Sequence, residues 1–296
     1  SSSVVLSRYN GSQWADAIDI KVKKMTRYLN KDTTVCISLA ARPSNFGTRF
    51  HNFLYDALDL DYLYKAFTTN DLAAAIGGVR ALGFRGCAIS MPFKEAVIPM
   101  VDEMDPSAKA INSVNTLVNT GGYLKAYNTD YIAIAKLLQE YQVPVDNVFA
   151  LRGSGGMAKA VAFALKNAGF KQGYIIATNE KTGKQLAEQS GYIYRPDMQN
   201  IQADMLINAT PVGMAGGADA DKLAFTETEV DRAKIVFDVV ALPAVTPLIR
   251  YAQTQGKTVI TGAEVFAIQA VEQFVLYTGI RPSQALFEQA AAYARG

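Results

Sequence analysis

The chain has 296 residues, of which 50% are hydrophobic and 19% charged, and its formal net charge is +2; that length exceeds what one α/β core usually fills, so two domains are expected. The composition excludes a disordered or fibrous chain, and the scattered basic residues exclude the massed or aromatic-interleaved cations of a nucleic-acid binder, which leaves a small molecule as the expected ligand. No apolar run reaches the ~18–20 residues of a membrane span, and the N-terminus lacks the charged-then-apolar pattern of a secretory signal, so a soluble, cytoplasmic monomer or homodimer is expected.

The chain opens Ser1-Ser2-Ser3 without a Met, which points to an engineered or processed end. Short apolar runs rich in β-branched residues then alternate with stretches of helical period, the pattern of βαβ units around a parallel sheet. Strands are expected at 35–39, 62–67 and 86–90, with helices at 49–58 and 71–82 between them. Cys36 and Cys87 each fall in one of these apolar strands and read as buried core thiols. With His51 the only histidine, a zinc cluster is not expected and no metal is assigned.

After Asp130, a helix over 131–141 carries the domain switch, and Gln142-Val143-Pro144-Val145-Asp146-Asn147 breaks its period as a connector. A second α/β run follows: a strand at 148–151, Gly153-Ser154-Gly155-Gly156, a helix over 157–167 ended by Gly169, and strands at 173–178, 205–208, 235–240 and 258–261. Ala-rich helices at 264–277 and 282–293 close the chain and are expected to fold back on the first domain. The expected architecture is α/β in two domains: an N-terminal α/β substrate domain over 1–130, completed by 263–296, and a Rossmann-like doubly wound cofactor domain over 131–262.

Gly153-Ser154-Gly155-Gly156-Met157-Ala158 lies between an expected strand and helix, where a glycine turn lets backbone N–H groups and a helix N-terminus meet a pyrophosphate. Its spacing departs from the dinucleotide fingerprint, because the third small residue is Ala158 rather than a Gly one position on. The next strand ends in Ala177-Thr178-Asn179-Glu180-Lys181, which points both ways on the cofactor. Thr178, Asn179 and Lys181 suit a 2′-phosphate, whereas Glu180 suits a free ribose hydroxyl.

Oxidising a secondary alcohol needs a hydride acceptor and a base within hydrogen-bond reach of the hydroxyl. His51, beside Asn52 on an amphipathic helix, is assigned a structural role. A lysine does the work where burial or neighbours lower its pKa toward ~7–8. Lys94 follows Ser90-Met91-Pro92-Phe93 at the carboxyl end of a strand, where open α/β sheets bind ligands.

From Gly83-Phe84-Arg85-Gly86 through Ser90-Met91-Pro92-Phe93-Lys94-Glu95-Ala96-Val97-Ile98-Pro99 the sequence resembles the substrate loop of the shikimate dehydrogenase family. In the same order, Ser113-Val114-Asn115-Thr116 resembles that family's substrate-binding Asn motif and Tyr127-Asn128-Thr129-Asp130 its catalytic Asn-Thr-Asp. Asn208-Ala209-Thr210-Pro211-Val212-Gly213-Met214 is similar to its cofactor-side signature, and Gly262, Gln269 and Tyr277-Thr278-Gly279 to its C-terminal region. The resemblance implies hydride transfer between NADP, with NAD possible, and the ring alcohol of shikimate or a related hydroxylated cyclic acid. It implies Lys94 and Asp130 as the catalytic pair and Ser90, Asn115 and Gln269 as substrate ligands. Around the cofactor it adds Thr210, Val240 and Gly262 to Gly153, Ser154, Gly155, Gly156, Met157, Thr178, Asn179 and Lys181.

The chain departs from that family at its anion sites. Asn45 and Gly47 stand where the family carries two serines ahead of His51-Asn52, and Ala241 replaces a tyrosine ahead of Leu242-Pro243, while Ser90 keeps the hydroxyl of the usual threonine. Three lost donors to a carboxylate weaken binding by several kcal/mol, at ~1.5–3 kcal/mol each, unless others replace them; Asn45, Thr48 and Arg49 are the nearest replacements. Ala177-Thr178-Asn179 likewise replaces the family's Asn-Arg-Thr, which removes the arginine that grips a 2′-phosphate. Quinate dehydrogenase using NAD and a cofactor-binding paralogue without turnover remain open as alternatives. A folate dehydrogenase shares the architecture but not the motifs.

Overall fold

The computed structural model describes residues 28–296, together with the antiparallel pairing of β1 (Ser3–Val4) and β2 (Ile20–Lys21). Ser1 and Ser2 of the opening serine run lie outside the described residues. Two six-stranded sheets follow. The first takes in β3 (Thr34–Leu39), α1 (Phe46–Ala57), β4 (Tyr62–Phe67), α2 (Leu72–Ala81), β5 (Gly86–Ile89), α3 (Phe93–Ala96), β6 (Glu103–Met104), α4 (Pro106–Lys109), β7 (Thr116–Thr120) and β8 (Tyr123–Tyr127).

In this sheet the order is β4-β3-β5-β7-β8-β6. β3, β4 and β5 are parallel, as βαβ units require, but β7 runs antiparallel to both β5 and β8. The sheet is therefore mixed, which corrects the expectation of a parallel one. The cause is the turn: Thr120 pairs with Tyr123 across Gly121-Gly122, and both glycines take positive φ, 60° and 92°. A two-residue turn of that hand closes an antiparallel hairpin.

α5 (Thr129–Glu140) leads into the second sheet, built from β9 (Phe149–Arg152), α6 (Gly156–Ala168), β10 (Gly173–Ile176), α7 (Glu180–Ser190), β11 (Ile193–Arg195), β12 (Met205–Asn208), α8 (Glu227–Arg232), β13 (Ile235–Asp238), α9 (Pro247–Thr254) and β14 (Thr258–Thr261). All its strands are parallel, in the order β11-β10-β9-β12-β13-β14. Counted from β9, this is the doubly wound dinucleotide order, which reverses between β9 and β12 and leaves a crevice at their carboxyl ends. The expected strands at 173–178 and 235–240 overrun β10 and β13 because their last residues leave the ladder for loops at that edge. β11, a short edge strand, is too brief for alternation to reveal.

α10 (Gly262–Thr278) returns from β14 to pack along α5, and α11 (Gln284–Arg295) lies on α1. Phe50, Leu54, Phe274, Tyr277, Ala290 and Ala294 share one core with Cys36, while Cys87 belongs to the core on the other face of the sheet. Burial pushes both thiols up, Cys36 to about 12, which leaves them unreactive. Glu272 of α10 is buried, accepting from Lys136 of α5 at 2.8 Å and from Arg281 at 2.8 and 3.1 Å. Burial alone would raise its pKa, but these cationic hydrogen bonds win and hold the carboxyl below its ordinary range.

His51 is only 1% exposed, stacks on Tyr64 at 4.4 Å and has no partner for Nδ1. Burial pushes its pKa down from 6.5 to about 3, against a hydrogen bond with Gln273 that favours the proton. The unfolded chain therefore binds a proton that the native protein refuses once the pH drops below 6.5. Stability is expected to fall by ~1.4 kcal/mol per pH unit below that point, or about 2 kcal/mol by about pH 5. Denaturant melts of wild type and His51→Leu at about pH 7.5 and about pH 5 check this, since the variant loses that slope; an equal loss in both proteins shows that other groups cause it.

Candidate active site

A cleft of about 1200 Å³ is walled by Lys94, Ser113, Asn128 and Asp130 from the first sheet's side and by the loops after β9, β10, β12 and β13 from the other. Gly155 is the N-cap of α6 and has no side chain to cap it. Its first backbone N–H groups are left for an incoming anion, which the positive end of the helix also favours. Gly153 takes a φ of 123°, and a Cβ there would lie 2.7 Å from the Ala209 carbonyl oxygen. Only glycine lets this loop reach so close to the one after β12. The Ser154 and Thr182 hydroxyls meet at 2.7 Å and pin the loop to α7.

Asn208, at the end of β12, donates to Asp238 Oδ1 and to the Val212 carbonyl, both at 3.0 Å, while its own Oδ1 accepts from the N–H and hydroxyl of Thr210 at 3.0 and 2.6 Å. Asp238 also accepts from the Val240 N–H at 3.0 Å and the Thr246 hydroxyl at 2.6 Å. Burial pushes this carboxyl up, opposed by all three donors. The network sets the walls at Thr210 and Val240.

Lys94 lies on α3, just past β5, where the Val114 N–H donates to its carbonyl at 2.8 Å. Asp130 lies in the first turn of α5, whose N-cap Asn128 accepts from the Tyr131 N–H at 3.0 Å. Lys94 Nζ and Asp130 Oδ2 are 3.3 Å apart, and their side chains are 28% and 16% exposed. A hydroxyl entering here finds a donor and an acceptor side by side, as proton transfer requires.

Gly153, Ser154, Gly155, Gly156, Met157, Thr178, Asn179, Thr210, Val240 and Gly262 all line the cleft. Asn179 also caps α7, accepting from the Thr182 N–H at 3.1 Å. Lys181 is exposed away from the cleft wall, and Glu180 pairs with Lys184. Asn115 is buried behind the wall and Gln269 is half-buried, both hydrogen-bonded to Thr129. Asn45 and Ser90 are exposed at the carboxyl ends of β3 and β5, outside the wall.

Ser113 and Met214, which line the cleft, fall within motifs read from the sequence, but sequence reasoning does not find Arg152, Asp197 or Phe266, which also line it. Arg152 donates to the Ala224 carbonyl, and Phe266 packs on Phe46 of α1 at 4.4 Å; neither contact has a local signal. Asn128 had one, as an N-cap inside Tyr-Asn-Thr-Asp. Among the described residues, no group of three or more His, Cys, Asp or Glu is placed to hold a metal, and no helix is long and apolar enough to cross a membrane.

A doubly wound crevice facing a lysine–carboxylate pair across one cleft is the layout of a nucleotide-dependent oxidoreductase. Residues 46–117 match the family model described as the shikimate dehydrogenase substrate binding domain. A shikimate dehydrogenase-like protein of Haemophilus influenzae is 57% identical over 267 residues, 90% of this chain and 98% of that one. The NADP(+) shikimate dehydrogenase of Pyrococcus abyssi is 35% identical over 81% of this chain and 89% of its own length. Among solved structures, a shikimate 5-dehydrogenase-like protein matches with a TM-score of 0.90 at 57% identity, covering 91% of this chain and 100% of that one. The Thermus thermophilus shikimate 5-dehydrogenase in complex with NADP(H) and shikimate matches with a TM-score of 0.78 at 29% identity, covering 88% and 99%. The chain belongs to the shikimate dehydrogenase family.

Proposed function

We propose that the protein transfers hydride between NADP(H) and the ring alcohol of shikimate or a related hydroxylated cyclic acid. The observation that carries this is the presence of the Lys94–Asp130 pair and the uncapped N-terminus of α6 on one cleft. The close approach at Gly153 and the free N–H groups of α6 fit a pyrophosphate, with Thr178 and Asn179 toward the ribose end and Thr210, Val240 and Gly262 toward the reacting end. When bound, the nicotinamide supplies the hydride acceptor. Lys94 and Asp130 hold the substrate hydroxyl and take its proton in oxidation or return it in reduction. The segment up to residue 130 with α10 and α11 serves the substrate, and 131–262 the cofactor. Two relatives support NADP: one named for it and one solved with it.

A second reading, NAD with quinate, is favoured by Asp197 on the cleft wall and by the lack of an arginine in Ala177-Thr178-Asn179, since a carboxylate suits a free ribose hydroxyl and repels a 2′-phosphate. Initial rates with NADP and NAD, each against shikimate and quinate, test both. Faster turnover with NADP and shikimate is expected. Turnover with NAD and quinate alone selects the second reading, and silence with all four pairs overturns turnover of these acids.

A further inference from the structure

Behind the Lys94–Asp130 pair runs a line of buried polar side chains, Gln273, Thr116, Asn115 and Thr129, each at most 6% exposed. Gln273 Nε2 donates to Thr116 Oγ1 at 2.8 Å and to the Asn115 carbonyl at 3.3 Å. Thr116 in turn gives its proton to Asn115 Oδ1 at 2.9 Å, and the Thr129 N–H donates to the same oxygen at 2.8 Å. With Oδ1 held by two donors, Asn115 turns its Nδ2 to Thr129 Oγ1 at 2.9 Å.

A hydroxyl has one proton to give. Thr129 Oγ1 lies 3.2 Å from both Asn115 Oδ1 and Gln269 Oε1, and since the first oxygen is already doubly engaged, the proton goes to Gln269. That leaves Gln269 Nε2 as the free end of the line. Gln269 continues the stripe of α10 formed by Gly262, Val265 and Phe266, which line the cleft.

We propose that Gln273 and Thr116 form a positioning relay that sets the amide polarity of Asn115 and Gln269, so that Gln269 presents N–H donors to the substrate beside Asp130. The role in substrate binding rests on the dehydrogenase reading above. A substrate hydroxyl that accepts from Gln269 Nε2 has its own proton free for the Asp130 carboxylate, where transfer begins. With the amide reversed, Gln269 Oε1 would compete for that proton. Gln273 and Thr116 are buried, 6% and 0% exposed, so both act through orientation.

Neutron diffraction from deuterium-exchanged crystals reads the wiring without any turnover. Deuterium is expected on Thr116 toward Asn115 and on Gln269 Nε2 toward the cleft; Gln269 Oε1 facing the cleft, or Thr116 donating to Gln273, overturns the relay. In kinetics, Thr116→Val and Gln273→Met are each expected to raise KM for the ring substrate about tenfold with NADP affinity unchanged, the effect of one misdirected hydrogen bond. Thr116→Ser restores wild-type KM, and the double variant is no worse than the worse single because both cut one line. KM within about twofold of wild type in both single variants overturns the positioning role. A wild type inert toward every ring acid counts against the dehydrogenase reading alone, and the neutron map then still decides the relay.

Discussion

Replacing Lys94 by methionine is expected to lower kcat by about 10²- to 10⁴-fold, the range of a positioned general acid–base group, with cofactor affinity unchanged. Methionine keeps the unbranched stem and most of its volume but removes the charge and the transferable proton. The group lost lies 3.3 Å from Asp130, on the opposite side of the cleft from the glycine loop, so cofactor contacts stay in place. Asp130→Asn is expected to cost a similar factor. The double variant should fall little further than either single, because two groups that pass one proton act as a unit. Single-turnover rates of hydride transfer, with cofactor titration alongside, check this. A change confined to KM assigns Lys94 to binding, and unchanged turnover removes it from the chemistry.

The largest loss of stability from one added methyl group at the cleft is expected at Gly262. A Cβ there would lie 2.2 Å from the Val239 carbonyl oxygen and 2.4 Å from the carbonyl carbon and oxygen of Val240. These are backbone atoms just past β13, and they cannot rotate away as a flexible side chain does. Relief requires α10 to lift from the sheet, carrying Gln269, Glu272 and Gln273 with it. Overpacking costs about 1–3 kcal/mol where side chains adjust and more where backbone must move. Gly262→Ala is therefore expected to cost at least about 3 kcal/mol and, at about 2–4 °C per kcal/mol, to lower Tm by roughly 6–12 °C. Calorimetry against Gly156→Ala, where nothing lies within 4 Å of the added carbon, isolates the clash. Equal melting of the two variants rules out the tight seating of α10.

Much of this molecule is local in origin. The βαβ rhythm, the glycine loop before α6, the Gly169 cap and the burial of Cys36, Cys87 and His51 each depend on residue types within a few positions of one another, where backbone sterics and hydrophobic periodicity act. The hairpin at Gly121-Gly122 is equally local. A reading centred on βαβ units passes over it because two paired glycines look like any loop until the strands beside them are seen to run antiparallel. Lys94 is read from its place at an element boundary where α/β sheets bind ligands, whereas Asp130 is marked only by the resemblance of Tyr127-Asn128-Thr129-Asp130 to a family motif.

The amino-acid order alone could not say where side chains at those boundaries would point. Asn45 and Ser90 have the chemistry for a substrate anion, yet the paths of their loops leave them exposed outside the cleft wall, while Asn115 is drawn behind it and Lys181 turns to solvent. Phe46 meets Phe266, Lys136 meets Glu272, and Gln273 meets Asn115 and Thr116 only because α10 returns from the second sheet to pack along α5 and the first. Such contacts join residues far apart in the chain, and no local propensity or period encodes them. Local chemistry thus wrote the two α/β units and the loops that bound their sheets, and long-range packing of α10 decided which side chains meet across them.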